Sequence, residues 1–131
     1  LPGQKAHDVA LPDTAGRFHK LAELAAQNKS SLLFFYSHEC EHCQATIPQI
    51  KAYCLRHALP FTNVLAINVH PDTQGWKSFV SVQQLPFTNL HLTDQTAAEV
   101  AKAYAIIGIP MLLTVDNNFV ITELFPNLLK Q

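Results

Sequence analysis

Apolar and polar positions change rhythm along this chain, and the rhythm predicts an alternation of strands and helices. The run Leu32-Leu33-Phe34-Phe35-Tyr36 is apolar throughout and rich in aromatic residues, which suits a central strand buried on both faces. Beyond it, Cys43, Ile47, Ile50, Cys54 and His57 recur at spacings of four and three, predicting one buried face of a helix over about 40–57. Pro48 falls inside that helix and is expected to kink it, because its ring removes a backbone donor. A second strand is predicted over Phe61 to Asn68, then a loop and helix over Pro71 to Ser81. Trp76 and Phe79 lie on that helix and read as core packing rather than a binding surface.

The flanks complete the pattern. Asp8 to Leu11 and Arg17 to His19 are strand-like around Pro12-Asp13-Thr14-Ala15-Gly16, a turn signal that predicts a hairpin. A short helix follows over Leu21 to Gln27. Pro86 to Leu92 reads as a short strand or an extended connection. Thr96-Ala97-Ala98-Glu99 has capping-box spacing and opens a helix to Tyr104, with Gly108 closing the segment. Met111 to Val115 and Phe119 to Leu124 flank Asp116-Asn117-Asn118 as a closing hairpin. Strands alternating with helices imply parallel pairing, and the hairpin adds antiparallel strands, so the expected class is α/β with a mixed sheet. No repeat or composition shift divides the chain, so one domain over 1–131 is expected.

Composition narrows the function. With 131 residues, 48% hydrophobic and 15% charged, the chain is an ordinary folded protein. A net charge of −1 gives no basic excess for a nucleic-acid partner. No run approaches the roughly 20 apolar residues that span a bilayer, and no secretory signal is visible. The chain starts at Leu1 rather than methionine, so a processed or trimmed start is expected, with any membrane anchor in a segment absent here. Of the seven histidines, only His38 and His42 lie near other possible ligands; the other five read as surface or cap positions.

The chemistry concentrates at Cys40-Glu41-His42-Cys43. A Cys-x-x-Cys between a buried strand and a helix puts its first sulfur at the helix N-terminus, where free N–H groups favour a thiolate. Cys40 is then the attacking thiol and Cys43, one turn further in, the resolving thiol. His42 can donate a hydrogen bond or positive charge to the thiolate, whereas Glu39 and Glu41 oppose it. Two rivals stand beside this reading. One is a copper or zinc site built from His38, Cys40, His42 and Cys43; structural zinc usually needs a second ligand pair, which is absent. The other is a non-catalytic interaction domain. Gln44 follows Cys43 where a c-type haem site needs histidine. Cys54, eleven residues beyond Cys43, lies roughly 16 Å along the helix and out of disulfide reach, so it reads as a structural thiol.

Together these residues resemble the thioredoxin superfamily, and within it the extracytoplasmic TlpA/ResA-type thiol–disulfide oxidoreductases. Val9-Ala10-Leu11-Pro12-Asp13 through Gly16 resembles that branch's N-terminal hairpin extension. Phe34-Phe35-Tyr36, Cys40-Glu41-His42-Cys43 and Pro48 resemble its strand, active site and helix proline. Gly108-Ile109-Pro110 resembles the segment carrying a cis-proline, which makes Ile109 and Pro110 the implied substrate contacts. The resemblance implies a thioredoxin-like fold with helices flanking the mixed sheet and a periplasmic or cell-envelope location. It also implies protein thiol or disulfide substrates, an upstream redox partner, and no cofactor beyond the Cys40–Cys43 disulfide.

Departures from the family pattern are specific. Phe34 stands where thioredoxins carry a buried acid, and Thr46 where some ResA-like proteins carry another. Glu39 replaces a tryptophan, Met111 a threonine, and Asn118 stands near the usual turn glycine. The proton acceptor for Cys43 is therefore open among His42, Glu39, Glu41 and His38. Ser37 supplies half of a peroxiredoxin motif, but its proline position is Leu33, so peroxidase activity is not expected. Phe125 to Gln131 leaves little room for the family's final helix.

Overall fold

The computed structural model of the chain describes residues 1–124. A hairpin of β1 (Ala10–Pro12) and β2 (Phe18–Lys20) leads into α1 (Leu21–Ala25), then β3 (Ser30–Tyr36) and α2 (Glu41–Arg56). Next come β4 (Val64–Asn68), α3 (Thr73–Val82), β5 (Thr88–His91), α4 (Ala97–Ala103), β6 (Met111–Asp116) and β7 (Ile121–Leu124). The main sheet has the order β5-β4-β3-β6-β7. The β3–β4 and β4–β5 pairs are parallel, and β3–β6 and β6–β7 antiparallel. The strand left open at Pro86 to Leu92 is thus real, and forms the parallel edge.

The two-residue period of the strands sorts their side chains into two cores. Leu33, Phe35, Leu65, Ile67, Leu113 and Val115 face the hairpin, α1 and α4. Leu32, Phe34, Tyr36, Val64, Ala66 and Leu112 face α2 and α3, where they meet Ile47, Ile50 and Trp76. Every residue of β3 from Ser31 to Tyr36 is buried, as the unbroken apolar run required. Each fully buried Leu or Phe side chain contributes about 1.5–3 kcal/mol relative to exposure. Asp13 organises the hairpin turn: its Oδ1 accepts from the Ala15 and Arg17 N–H groups and its Oδ2 meets His19 Nε2 at 2.8 Å. Its contact with His19 is the main cause holding the Asp13 carboxyl below its ordinary range.

Some expectations change. The second strand starts at Val64, because Pro60 is followed by a 3₁₀ turn over Phe61–Asn63. The capping box at Thr96 is not formed; Thr96 has helical backbone angles and its hydroxyl donates to the Thr93 carbonyl instead. On α2 the inner face includes Tyr53, while His57 is the exposed C-cap residue. Pro48 lies inside α2 without ending it. The segment 125–131, on which the final-helix expectation rests, lies outside the described residues. Among the described residues no helix is long and apolar enough to cross a membrane.

Candidate active site

Strand β3 delivers the chain to Tyr36, and a turn over 37–39 hands it to α2. The Cys40 N–H donates to the Ser37 carbonyl (3.1 Å), and Ser37 Oγ accepts the Glu39 N–H (3.2 Å). Cys40 is the N-cap of α2, with φ −89° and ψ 117°, and its sulfur accepts the Cys43 N–H at 3.3 Å. A sulfur in that place receives one of the orphan donors of the helix's first turn. One turn on, Cys43 faces the core and is buried, while Cys40 is partly exposed. Both are free thiols, as is the buried Cys54.

Burial separates the thiols chemically. Removal from water, reinforced by the hydrogen bond with Cys40, pushes the Cys43 thiol from 9.0 up to about 12. Burial alone pushes Cys54 up to about 11. Neither ionises in the folded protein near neutral pH, so iodoacetamide is expected to label Cys40 first and the other two only on unfolding. Mass spectrometry of a labelling time course checks this. The linkage follows from the direction of the shifts. An acid whose folded-state pKa is raised stabilises the fold below its unfolded value, and that stability is lost as pH rises above it. Urea titrations of the reduced protein should therefore show stability falling from about pH 9 upward.

Beside the pair runs a groove of about 660 Å³, lined by His42, Thr46, Ile107, Ile109, Pro110 and Met111 among others. The Ile109–Pro110 peptide bond is cis. Ile109 packs against the same core cluster as Cys43 and Cys40, and His42 is exposed on the groove wall. Ile107, on the lip, is fully exposed. The groove thus brings together His42, Ile109 and Pro110, and Ile109 links it to the core cluster that holds Cys40 and Cys43. Glu41 is exposed and makes no hydrogen bond or ion pair among the described residues.

His38 and Glu39 face elsewhere, into a polar cluster at the C-terminal ends of the parallel strands. Asn68, fully buried at the end of β4, is its hub. Its Oδ1 accepts the His38 backbone N–H (3.1 Å) and lies 3.3 Å from His38 Nδ1. Its Nδ2 donates to the His70 carbonyl (3.0 Å) and meets His91 Nδ1 at 3.2 Å. His91 is buried, stacks on Trp76 with centroids 4.8 Å apart, and reaches Thr73 Oγ1 at 3.1 Å. Burial lowers its pKa. His70 is paired through Nε2 with Glu39 (3.0 Å), and its Nδ1 accepts the Asp72 N–H (3.0 Å).

The reading of His91 and His70 as surface or cap positions is therefore corrected for His91, which is core, and incomplete for His70. Their sequence separation concealed them: parallel register sets Tyr36 beside Asn68 and Asn68 beside His91. The proposed metal set His38, Cys40, His42 and Cys43 does not converge. Among the described residues the metal-capable cluster is His38, Glu39 and Asp72. Tyr36 and Trp76 are core, as their sequence context predicts, and the Tyr36 hydroxyl and Trp76 Nε1 are buried together with no other hydrogen-bond partner among the described residues. Burial raises the Tyr36 phenol, and the nearby Cys43 sulfur adds to the effect.

Known proteins agree with this architecture. The structure is similar to the thioredoxin domain of a thiol–disulfide oxidoreductase from Bacteroides vulgatus, with a TM-score of 0.84 and 18% identity, covering 96% of this chain and 89% of that one. It is similar to a domain of a possible thiol–disulfide isomerase from Cytophaga hutchinsonii, with a TM-score of 0.79 and 26% identity, covering 95% and 83%. A putative thiol:disulfide interchange protein DsbE from Chlorobium tepidum superposes with a TM-score of 0.73 at 22% identity, covering 95% and 84%. No curated protein sequence matches the chain. The model of the AhpC/TSA family matches residues 2–124, nearly the whole length. With its five-stranded mixed sheet and N-terminal hairpin, the chain belongs to the AhpC/TSA family within the thioredoxin superfamily.

Proposed function

We propose that this protein is a thiol–disulfide oxidoreductase acting on protein disulfides through Cys40 and Cys43. The observation that carries the proposal is the asymmetry of the pair. One sulfur is partly exposed at a helix N-terminus, and the other is buried one turn behind it with its N–H directed at the first. In the reducing direction, the Cys40 thiolate attacks one sulfur of a substrate disulfide. The S–S bond breaks, a mixed disulfide forms, and one substrate thiolate leaves. Cys43 then loses its proton and attacks the Cys40 sulfur, releasing the second substrate thiolate. Two electrons pass to the substrate, and the Cys40–Cys43 disulfide remains. An oxidase runs the same steps backwards, and an isomerase returns Cys40 without net transfer.

His42 sits on the groove wall, exposed to a docking substrate. Ile109 and Pro110 supply the platform against which the substrate backbone lies. Of the four candidate proton acceptors for Cys43, His38 and Glu39 are engaged in the histidine cluster, which leaves His42 and Glu41, and of these His42 lines the groove. The chemistry needs no dissociable cofactor, since the cysteine pair carries the electrons. An upstream redox partner restores the pair, and the cell envelope is the fitting compartment for such exchange. Turbidity during insulin reduction by dithiothreitol tests the proposal. Acceleration by the protein supports it, and a time course equal to that of dithiothreitol alone overturns it.

A further inference from the structure

We propose that His38, Glu39 and Asp72 form a binding site for a divalent transition-metal cation beside the cysteine pair. One ligand atom from each lies within 4.8 Å of the others, close to the spacing of about 4.4 Å or less that a shared ion at 2.0–2.2 Å from each donor imposes. Two of the three are exposed carboxylates, which alone would mean little. His38 changes their meaning. Its residue is only 8% exposed, and Asn68 fixes its ring.

The Asn68 amide is oriented by its own bonds. Its oxygen must face the His38 backbone N–H, and its nitrogen must face the His70 carbonyl. That oxygen therefore accepts the ring proton on His38 Nδ1, leaving Nε2 with a lone pair. No hydrogen bond reaches this Nε2 among the described residues. It is aimed at the space over Gly75, where a Cβ would stand 2.7 Å from Nε2 and 2.4 Å from Asp72 Oδ2. A glycine thus keeps open the gap between imidazole and carboxylate.

Each carboxylate is held in place by other groups. Asp72 Oδ1 caps α3 by accepting the Gly75 N–H at 3.0 Å, which leaves Oδ2 for the gap. Glu39 accepts from His70 Nε2, the protonated nitrogen, because His70 Nδ1 accepts the Asp72 N–H. Groups that hydrogen-bond a metal's ligands in this way orient them in general. One imidazole lone pair and two carboxylate oxygens meet with no lysine or arginine in an ion pair with them among the described residues. A cation supplies the missing charge. The donor set, one nitrogen and two oxygens with positions left for water, suits zinc, cobalt or nickel rather than a soft thiolate-seeking ion.

Cobalt(II) titration of the Cys40→Ser variant tests the proposal. Serine keeps an N-cap oxygen on α2, and the exposed thiol can no longer ligate. Visible d–d bands saturating at one ion per chain, with no thiolate charge-transfer band, are expected. Zinc should displace the cobalt. Glu39→Gln and Asp72→Asn, which preserve size and the α3 cap, should each weaken binding at least about tenfold. Gly75→Ala should block it, and His7→Gln, outside the cluster, should leave it unchanged. Since Glu39 is exposed, Glu39→Gln stays informative even if Gly75→Ala fails to fold. Absence of the bands, or bands indifferent to Glu39→Gln and Asp72→Asn, overturns the site, and neither result bears on disulfide exchange.

Discussion

Replacing Cys40 with serine is expected to lower the rate of protein-disulfide reduction by at least about 1,000-fold, the scale of loss when a nucleophile itself is removed. The fold should survive, because serine is as good an N-cap as the sulfur it replaces. Replacing Cys43 with alanine has a different signature. Cys40 still attacks, but nothing resolves the mixed disulfide, so a covalent complex joined at Cys40 should accumulate. Non-reducing electrophoresis with tryptic mapping distinguishes the two. A Cys43→Ala protein that turns over like wild type would show that resolution does not pass through the buried thiol. Cys54 offers no substitute, since it is buried on α2 well beyond bonding distance of Cys40.

The second large effect is on stability. Asn68→Leu should destabilise the protein by about 3–5 kcal/mol. The substitution keeps the branched shape but leaves the His38 N–H, the His70 carbonyl and His91 Nδ1 without the partner they share. Each buried polar group so stranded costs about 1–3 kcal/mol. For a chain of this length the melting temperature should fall by about 10–20 °C, measurable by calorimetry. A loss as small as that of a surface substitution would mean that water, rather than Asn68, satisfies the cluster.

What could be read from the chain follows from what is local. Leu32 to Tyr36 declared a central strand because burial on both faces leaves no polar position. Cys43, Ile47, Ile50 and Cys54 declared the inner face of α2 because helical spacing is a short-range property. The redox pair, its resemblance-based platform Ile109-Pro110 and the hairpin all lie within short sequence windows. The histidine cluster does not. His38, Asn68, His70 and His91 come together only through the register of three parallel strands, which no window of the sequence contains. Thr96 failed for a related reason: a capping box specifies spacing, but the Thr93 carbonyl competes for the same hydroxyl. From sequence alone Glu39 opposes the thiolate, because its partner, His70, stands thirty-one positions away.

The central claim is that Cys40 and Cys43 form a reversible redox couple. Equilibrating the metal-free protein with glutathione buffers of graded potential, then quenching in acid and counting thiol labels by mass spectrometry, tests it most directly. The account predicts that Cys40 and Cys43 lose their labels together, in one two-electron transition between about −270 and −120 mV. Cys54 should keep its label throughout when the quenched protein is unfolded for labelling. Labels retained on both Cys40 and Cys43 across the whole series, or Cys54 lost in place of either, would contradict it.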